Sequence, residues 1–285
     1  ASSRPRDPLG HGHVFRDGPA TEKYGLTYIG TMSFQAKTFD LTGKVAVVTG
    51  GSRGLGREMV LAFASCGADV VIASRKIDNC NAVADEVRAL GRRALAVGYH
   101  AASWSDADML AERAYNEFGH VEVLVNNAGM SPLYPSLSDV SEELFDKVIG
   151  VNLKGPFRLS TNIGTRMVAA GAGSIINVSS ISSHRPSPNE APYAAAKAGI
   201  NSLTKSLAAA FGPKVRVNCI VPGPFLTDIS KAWDLPAFTE HAKSAYALGR
   251  GGEPHEVVGA ALYFASDASS YTTGALLDID GLPMQ

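Results

Sequence analysis

The run Lys44-Val-Ala-Val-Val-Thr49 leads straight into Gly50-Gly-Ser-Arg-Gly54-Leu-Gly56, and the stretch Arg57 to Ser65 after it carries apolar residues at helical spacing. Few arrangements constrain a chain more. A short β-branched run reads as a strand, the glycines end it in a turn, and the periodicity then changes to that of a helix. Glycines at these points allow positive φ and close approach of the backbone to a pyrophosphate, while the helix N-terminus adds partial positive charge. The spacing is G-x-x-x-G-x-G rather than the common G-x-G-x-x-G, with Ser52, Arg53 and Leu55 between the glycines. A nucleotide site is the expected use; a glycine-rich turn without ligand is the alternative.

Strand and helix patterns then alternate: Asp69 to Ala73 and Asn79 to Leu90, Ala94 to Val97 and Asp106 to Phe118, then Val121 to Val125. Alternation of this kind predicts an α/β protein, a doubly wound parallel sheet with helices on both faces. Leu124-Val-Asn-Asn-Ala-Gly129 ends the fourth strand in small polar residues, where such a sheet opens its ligand crevice. A long helical region from about Glu142 to Ala169 follows, then a strand over Gly173 to Val178, a helix to Phe211 and a strand over Val215 to Val221. Pro224 to Arg250 lacks a strand pattern and reads as a mobile cover over the crevice. A helix over about Pro254 to Ser266 and a strand over Ala275 to Ile279 close the domain, expected to span 41–285. Residues 1–40 read as an irregular arm; its serines and arginines faintly suggest a transit peptide, against which stand Asp7, Asp17 and Glu22. His11 and His13 there make a poor metal site without further ligands, and no metal is expected.

In a chain of 285 residues with 45% hydrophobic content, a substantial core is available. The net charge of -1 gives no electrostatic case for nucleic acid or an anionic membrane, and no apolar run is long enough to cross a bilayer. Three widely spaced cysteines, Cys66, Cys80 and Cys219, suit reduced thiols, and the expected location is cytoplasmic.

Tyr193-Ala-Ala-Ala-Lys197 supplies the chemistry. Residues four apart on a helix share a face, so the Lys197 ammonium is expected to stabilise the Tyr193 phenolate and lower its pKa, making the phenol a candidate general acid.

Thr49-Gly50-x-x-x-Gly54-x-Gly56, Asn126-Asn-Ala-Gly129, Asn152, Ser180, Tyr193-x-x-x-Lys197 and Pro222-Gly223 occur in one order, with Ser180 lying 13 residues before Tyr193. From about Leu41 to Pro283 the chain thereby resembles the short-chain dehydrogenase/reductase family. The resemblance implies a Rossmann-like sheet of seven parallel strands, a nicotinamide dinucleotide, and hydride transfer between that cofactor and an alcohol/carbonyl pair. It also implies roles: Tyr193 as acid and base, Lys197 lowering its pKa and holding the nicotinamide ribose, Ser180 polarising the substrate carbonyl, Asn152 positioning a water in a proton relay. Taken singly, each has a structural alternative: a half-buried phenol, a strand-end cap, a helix-kinking polar residue.

NAD recognition in this fold usually needs an acidic residue at the end of the second strand, whereas a 2′-phosphate needs cations and hydroxyls. That end here reads Ser74-Arg75-Lys76, with Arg53 near the same corner, so NADP(H) is expected over NAD(H). Where relatives carry an Asp and a small aliphatic residue after the third strand, this chain has His100-Ala101. The resemblance further assigns cofactor contacts to Asn127, Ala128 and Gly129, to Pro222 and Gly223, to the Phe225 N–H and to Thr227. The substrate pocket is expected from Met130, Ser131, Ser182, His184, Pro224, Leu226 and Trp233, largely apolar and suited to a ketone or β-keto compound; the family's relation to 3-oxoacyl reductases does not fix which. Relatives commonly form tetramers, and Ala208 to Phe211 and Ala260 to Phe264 are the faces expected to build a homotetramer. The rival readings are an NAD-dependent alcohol dehydrogenase, a cofactor-sensing protein without turnover, and an oligomeric scaffold.

Overall fold

In the computed structural model, which describes residues 39–227, 230 and 234–284, the first strand is β1 (Val45–Thr49), buried at all five positions. Its side chains alternate between two apolar clusters. Ala46 and Val48 pack with Phe63, Ile72 and Phe264 on one face, Val45 and Val47 with Leu110, Leu124 and Leu159 on the other. A strand with hydrocarbon on both faces has to be covered on both sides, which is why its sequence is continuously apolar rather than alternating.

The covering elements come in the expected order: α1 (Gly54–Ser65), β2 (Asp69–Ser74), α2 (Ile77–Ala89), β3 (Ala94–Gly98), α3 (Trp104–Phe118) and β4 (Val123–Asn126). There follow α4 (Glu142–Ile149), α5 (Gly155–Ala170), β5 (Gly173–Val178), α6 (Ala191–Phe211), β6 (Val215–Pro222), α7 (Leu235–Ala245), α8 (Val258–Ala265) and β7 (Leu276–Ile279). All seven strands are parallel and lie in the order β3-β2-β1-β4-β5-β6-β7. The Rossmann-like doubly wound sheet is therefore observed as expected. Strand order reverses between β1 and β4, and a crevice opens at that point beyond the carboxyl ends of the strands.

Two segments depart from the sequence reading. The helical region expected from Glu142 to Ala169 is interrupted: Gly150–Lys154 form a π turn between α4 and α5. Pro224 to Arg250, read as a cover, contains α7, which starts where the Asp234 carboxylate accepts the Ala237 N–H at 3.0 Å. Pro236 lies in the first turn of that helix, where a missing N–H breaks no bond, so it starts the helix rather than ending it.

The predicted arm with His11 and His13 and the predicted substrate residue Trp233 lie outside the described residues. Among the described residues no helix is long and apolar enough to cross a membrane, and no three His, Cys, Asp or Glu side chains gather as metal ligands. Of the faces expected to join subunits, Ala208 and Phe264 are buried in the chain's own core. The exposed apolar groups on the β7 side are instead Tyr271, Leu276 and Leu277.

Candidate active site

A cleft of about 530 Å³ lies over the carboxyl ends of β1 to β6. Its floor begins at the glycine turn. The Thr49 hydroxyl donates to Val125 O (3.2 Å) and accepts the N–H groups of Asn127 (3.0 Å) and Ala128 (3.1 Å), while Asn127 Nδ2 donates to Thr49 O at 3.0 Å. These bonds lock the ends of β1 and β4 together. Gly50 and Gly54 have φ of +66° and +52°, and a Cβ on Gly56 would sit 2.2 Å from Gly50 O. Side chains are excluded there for geometric reasons, and the backbone lies open to whatever fills the cleft. Arg53, at the N-cap of α1, makes no side-chain cap, and the first turn of α1 holds no acidic residue. The leading N–H groups of α1 thus remain available to an anion, and the arrangement fits a pyrophosphate.

One end of the cleft is lined by Arg53, Ser74, Arg75, His100 and Ala101. Both guanidiniums are exposed, and neither has an ion-pair or hydrogen-bond partner among the described residues. Among the described residues no carboxylate lines this end; the one acidic lining residue among them, Glu190, belongs beside Tyr193. The His100 N–H donates to Asp106 Oδ2 at 2.9 Å, and Asp106 is itself held by Ser103, the N-cap of α3. Lys76 is exposed and does not reach the cleft, because it occupies the N-cap position of α2. Ser52 and Leu226 line an adjoining hollow on the outer side of the turn, not the cleft itself.

The other end gathers the remaining predicted groups. Tyr193 and Lys197 sit in the first two turns of α6, and the Lys197 ammonium lies 5.5 Å from the centre of the Tyr193 ring. Lys197 is 3% exposed, and its Nζ donates to Val178 O at 2.8 Å. Burial without a carboxylate partner pulls its pKa down to about 8. The Ser180 hydroxyl, at the end of β5, donates to Ser182 Oγ and accepts the Ser182 N–H, both at 3.2 Å, and lies close enough to the Tyr193 phenol to draw its pKa down.

The expected lowering of the Tyr193 pKa is not found in the protein by itself. Desolvation pushes it up to about 12; the Ser180 hydrogen bond works against this and the Glu190 charge adds to it. Lys197 spends a hydrogen bond on Val178 O and is weakly acidic itself, so its charge does not reverse the effect of burial.

Asn152 is set by the π turn. A π turn displaces one carbonyl from the α-helical ladder, and Asn152 Nδ2 takes the Val148 carbonyl at 2.9 Å. The same side chain donates to Met130 O (2.9 Å) and accepts the Met130 N–H (3.2 Å). Both of its amide hydrogens are engaged and it is only 1% exposed, so it holds the wall of the cleft instead of lining it. A Cβ on Gly129 would meet Asn152 Oδ1 at 3.0 Å and Lys197 Nζ at 3.6 Å, which shows how closely the three residues converge. The turn is supported from behind: a Cβ on Gly155 would fall 1.8 Å from Ala101 O, and one on Gly150 would fall 2.9 Å from the Ala102 Cβ.

Of the remaining predicted residues, Gly50, Gly54, Leu55, Gly56, Asn127, Ala128, Gly129, Pro222, Gly223, Phe225 and Thr227 all line the cleft, as do Met130, Ser131, Ser182 and Pro224. His184 does not: it is exposed beyond the Ser180 turn, where its Nδ1 meets the Ser183 hydroxyl at 3.3 Å. Sequence reasoning missed Tyr99, Lys147, Glu190 and Tyr246, which also line it. Glu190 carried one usable signal, its place one turn ahead of Tyr193; Tyr246 follows a helix that was not anticipated.

A family model described as enoyl-(acyl carrier protein) reductase matches residues 50–281. The chain is 41% identical over 249 residues to L-rhamnose 1-dehydrogenase (NAD(P)(+)) of Azotobacter vinelandii, spanning 85% of this chain and 96% of that one. It is 35% identical over 248 residues to dehydrogenase/reductase SDR family member 4 of Bos taurus, spanning 86% and 89% of the two chains. A solved 3-oxoacyl (acyl-carrier-protein) reductase of Agrobacterium tumefaciens with NADP bound superposes with a TM-score of 0.83 at 31% identity, covering 89% of this chain and all of that one.

Proposed function

Because the chain belongs to the short-chain dehydrogenase/reductase family, oxidoreductases acting on alcohol and carbonyl groups, we propose that it interconverts a carbonyl compound and its secondary alcohol with NADP(H), using Tyr193 as general acid and base. The observation that carries the cofactor choice is the end of the cleft formed by Arg53, Ser74 and Arg75, with two unpaired guanidiniums and no carboxylate. A 2′-phosphate accepts from such a set, whereas the ribose hydroxyls of NAD would leave both cations without a partner. The A. vinelandii relative is named for either cofactor, so the preference rests on these residues.

When bound, the nicotinamide cofactor supplies the hydride donor and acceptor. The protein's own part is to place and move a proton. Ser180 orients the substrate oxygen and donates to it as negative charge grows there, an interaction strongest in the transition state. Tyr193 delivers the proton in reduction and removes it in oxidation. Lys197 sets the potential around the phenol, and its pKa near 8 lets it exchange protons close to neutrality. Asn152 acts by position, fixing Met130 and the π turn through three hydrogen bonds. The glycine turn and the uncapped start of α1 hold the pyrophosphate.

The same reading takes residues 41–285 as one catalytic domain, acting in the cytoplasm as a homotetramer. Three free thiols, two of them buried, support a reducing compartment, and the exposed Tyr271, Leu276 and Leu277 support association along the β7 edge. The test is oxidation of NADPH, with NADH alongside, across ketones, β-ketoacyl thioesters and diketones, with light scattering for the oligomer. Turnover that is stronger with NADPH and abolished in Tyr193→Phe while cofactor still binds is the expected result. Cofactor binding without turnover of any compound would instead favour a sensor, and an elution mass of one subunit would remove the tetramer.

A further inference from the structure

Among the described residues, the catalytic end of the cleft holds one carboxylate with no part in proton transfer. Glu190 occupies the N-cap position of α6, three residues before Tyr193, yet its side chain makes no cap hydrogen bond. A Ser, Thr, Asp or Asn side chain at that position ordinarily satisfies the free amides of the first turn. Here another group does so. The Tyr134 phenol accepts the Ala191 N–H at 2.7 Å and donates to Pro188 O at 2.8 Å, so one hydroxyl clamps the start of α6 to the loop that follows β4. Behind the clamp, Ser187 O accepts the Glu190 N–H at 3.2 Å, and Ser187 Oγ accepts the Asn189 N–H at 3.3 Å. The backbone around Glu190 is thus held from both sides without use of the carboxylate.

That carboxylate is half-buried, lines the cleft, and has neither a hydrogen-bond donor nor an ion-pair partner among the described residues. It is also close enough for its charge to push the Tyr193 phenol upward in pKa. Of the cations at this end, Lys197 gives its hydrogen bond to Val178 O and Lys147 is exposed on α4, and neither forms an ion pair with Glu190. The remaining polar groups nearby are the hydroxyls of Ser131, Ser182 and Tyr246. A carboxylate that lines the cleft three residues before Tyr193, with the start of its own helix capped by another residue, is open to a donor on the ligand.

We propose that Glu190 is a specificity-determining residue: it accepts a hydrogen bond from a hydroxyl or ammonium group that the substrate carries beside its reacting carbon, and it repels a carboxylate or phosphate at that place. The substrates are then neutral hydroxylated or amine-bearing carbonyl compounds and their alcohols, not acidic ones. The inference rests on the carbonyl/alcohol reading of this same cleft. Its physical basis is that like charges a few ångströms apart repel strongly once water is partly excluded, so one fixed anion both attracts donors and rejects anions.

The test uses the protein loaded with NADP+ and three ligands of similar size, hydroxyacetone, aminoacetone and pyruvate, which place a hydroxyl, an ammonium or a carboxylate beside the carbonyl. Binding is read by saturation-transfer NMR titration, which needs no turnover. Relative to wild type, Glu190→Gln is expected to shift the affinity ratio of aminoacetone to pyruvate by about tenfold toward pyruvate, and Glu190→Ala to do the same. Comparing ratios between proteins cancels the charge of the cofactor, which all of them share. A ratio that stays within about twofold in both variants overturns the proposal. Turnover of the same compounds with NADPH separates the two readings: no turnover of any carbonyl compound counts against the oxidoreductase reading, while the binding ratio still decides the role of Glu190.

Discussion

Replacing Lys197 by Met should make the protein more stable while it destroys activity. Lys197 is 3% exposed, and among the described residues no carboxylate pairs with its ammonium, which donates to Val178 O at 2.8 Å. Its pKa falls from 10.5 to about 8. At pH 7 the group is charged in both folded and unfolded chains, and keeping the charge in the folded one costs about 3 kcal/mol. The sign follows from proton binding: the folded-state value is depressed, so between about pH 8 and 10.5 the unfolded chain binds more protons and stability rises with pH. The cost falls to about 2 kcal/mol by pH 9. Met has similar length and no charge, so Lys197→Met relieves the cost but leaves the Val178 carbonyl without its donor, a loss of about 1–2 kcal/mol. The net expectation is a variant roughly 1–2 kcal/mol more stable than wild type at pH 7, which is about 2–8 °C in Tm for a domain this large. The advantage should shrink by about 1 kcal/mol at pH 9. Urea unfolding at the two pH values measures both. A variant less stable than wild type at pH 7, or an advantage that grows with pH, would refute the argument.

Arg75→Ala should weaken NADPH binding by about tenfold and NADH binding by less than about twofold, as read by fluorescence titration, and equal losses would remove the phosphate role given to that guanidinium. Gly56→Ala puts a Cβ 2.2 Å from Gly50 O, so the turn has to move; NADPH affinity should drop by at least about tenfold, and unchanged affinity would mean that the turn is not the pyrophosphate site. In cofactor-free protein the Tyr193 phenol, with a pKa near 12, should stay un-ionised at pH 10.5, so the ultraviolet difference between wild type and Tyr193→Phe should show no phenolate band there. A band at that pH would mean that the Lys197 charge overcomes burial.

The sheet was legible because its central strands meet hydrocarbon on both faces, and a run such as Val70 to Ala73 has few other folded uses. The nucleotide end was legible because Gly50, Gly54 and Gly56 are required by backbone geometry, which leaves its mark on residue type. The catalytic end was legible as a set of residues but not as a set of roles. Asn152 was expected to position a water; its amide also binds Met130 and Val148 from within a π turn, whose extra residue nothing in a helical apolar pattern reveals. The Tyr193 pKa went the other way because spacing says that a cation is near and says nothing of desolvation. Glu190 and Tyr134 were missed since their relation crosses 56 positions of sequence and depends on how two loops meet. His184 was expected in the pocket from its nearness to Ser180, but the chain turns outward after Ser182.

The contact between Gly155 and the Ala101 carbonyl gives the cleft one strut for two ends. Ala101 belongs to the wall beside His100, whereas Gly155 follows the turn that carries Asn152, so displacement of one wall is transmitted to the other across a single interatomic gap. A side chain larger than hydrogen at position 155 would press on the wall that carries His100 and on the turn that carries Asn152 at once.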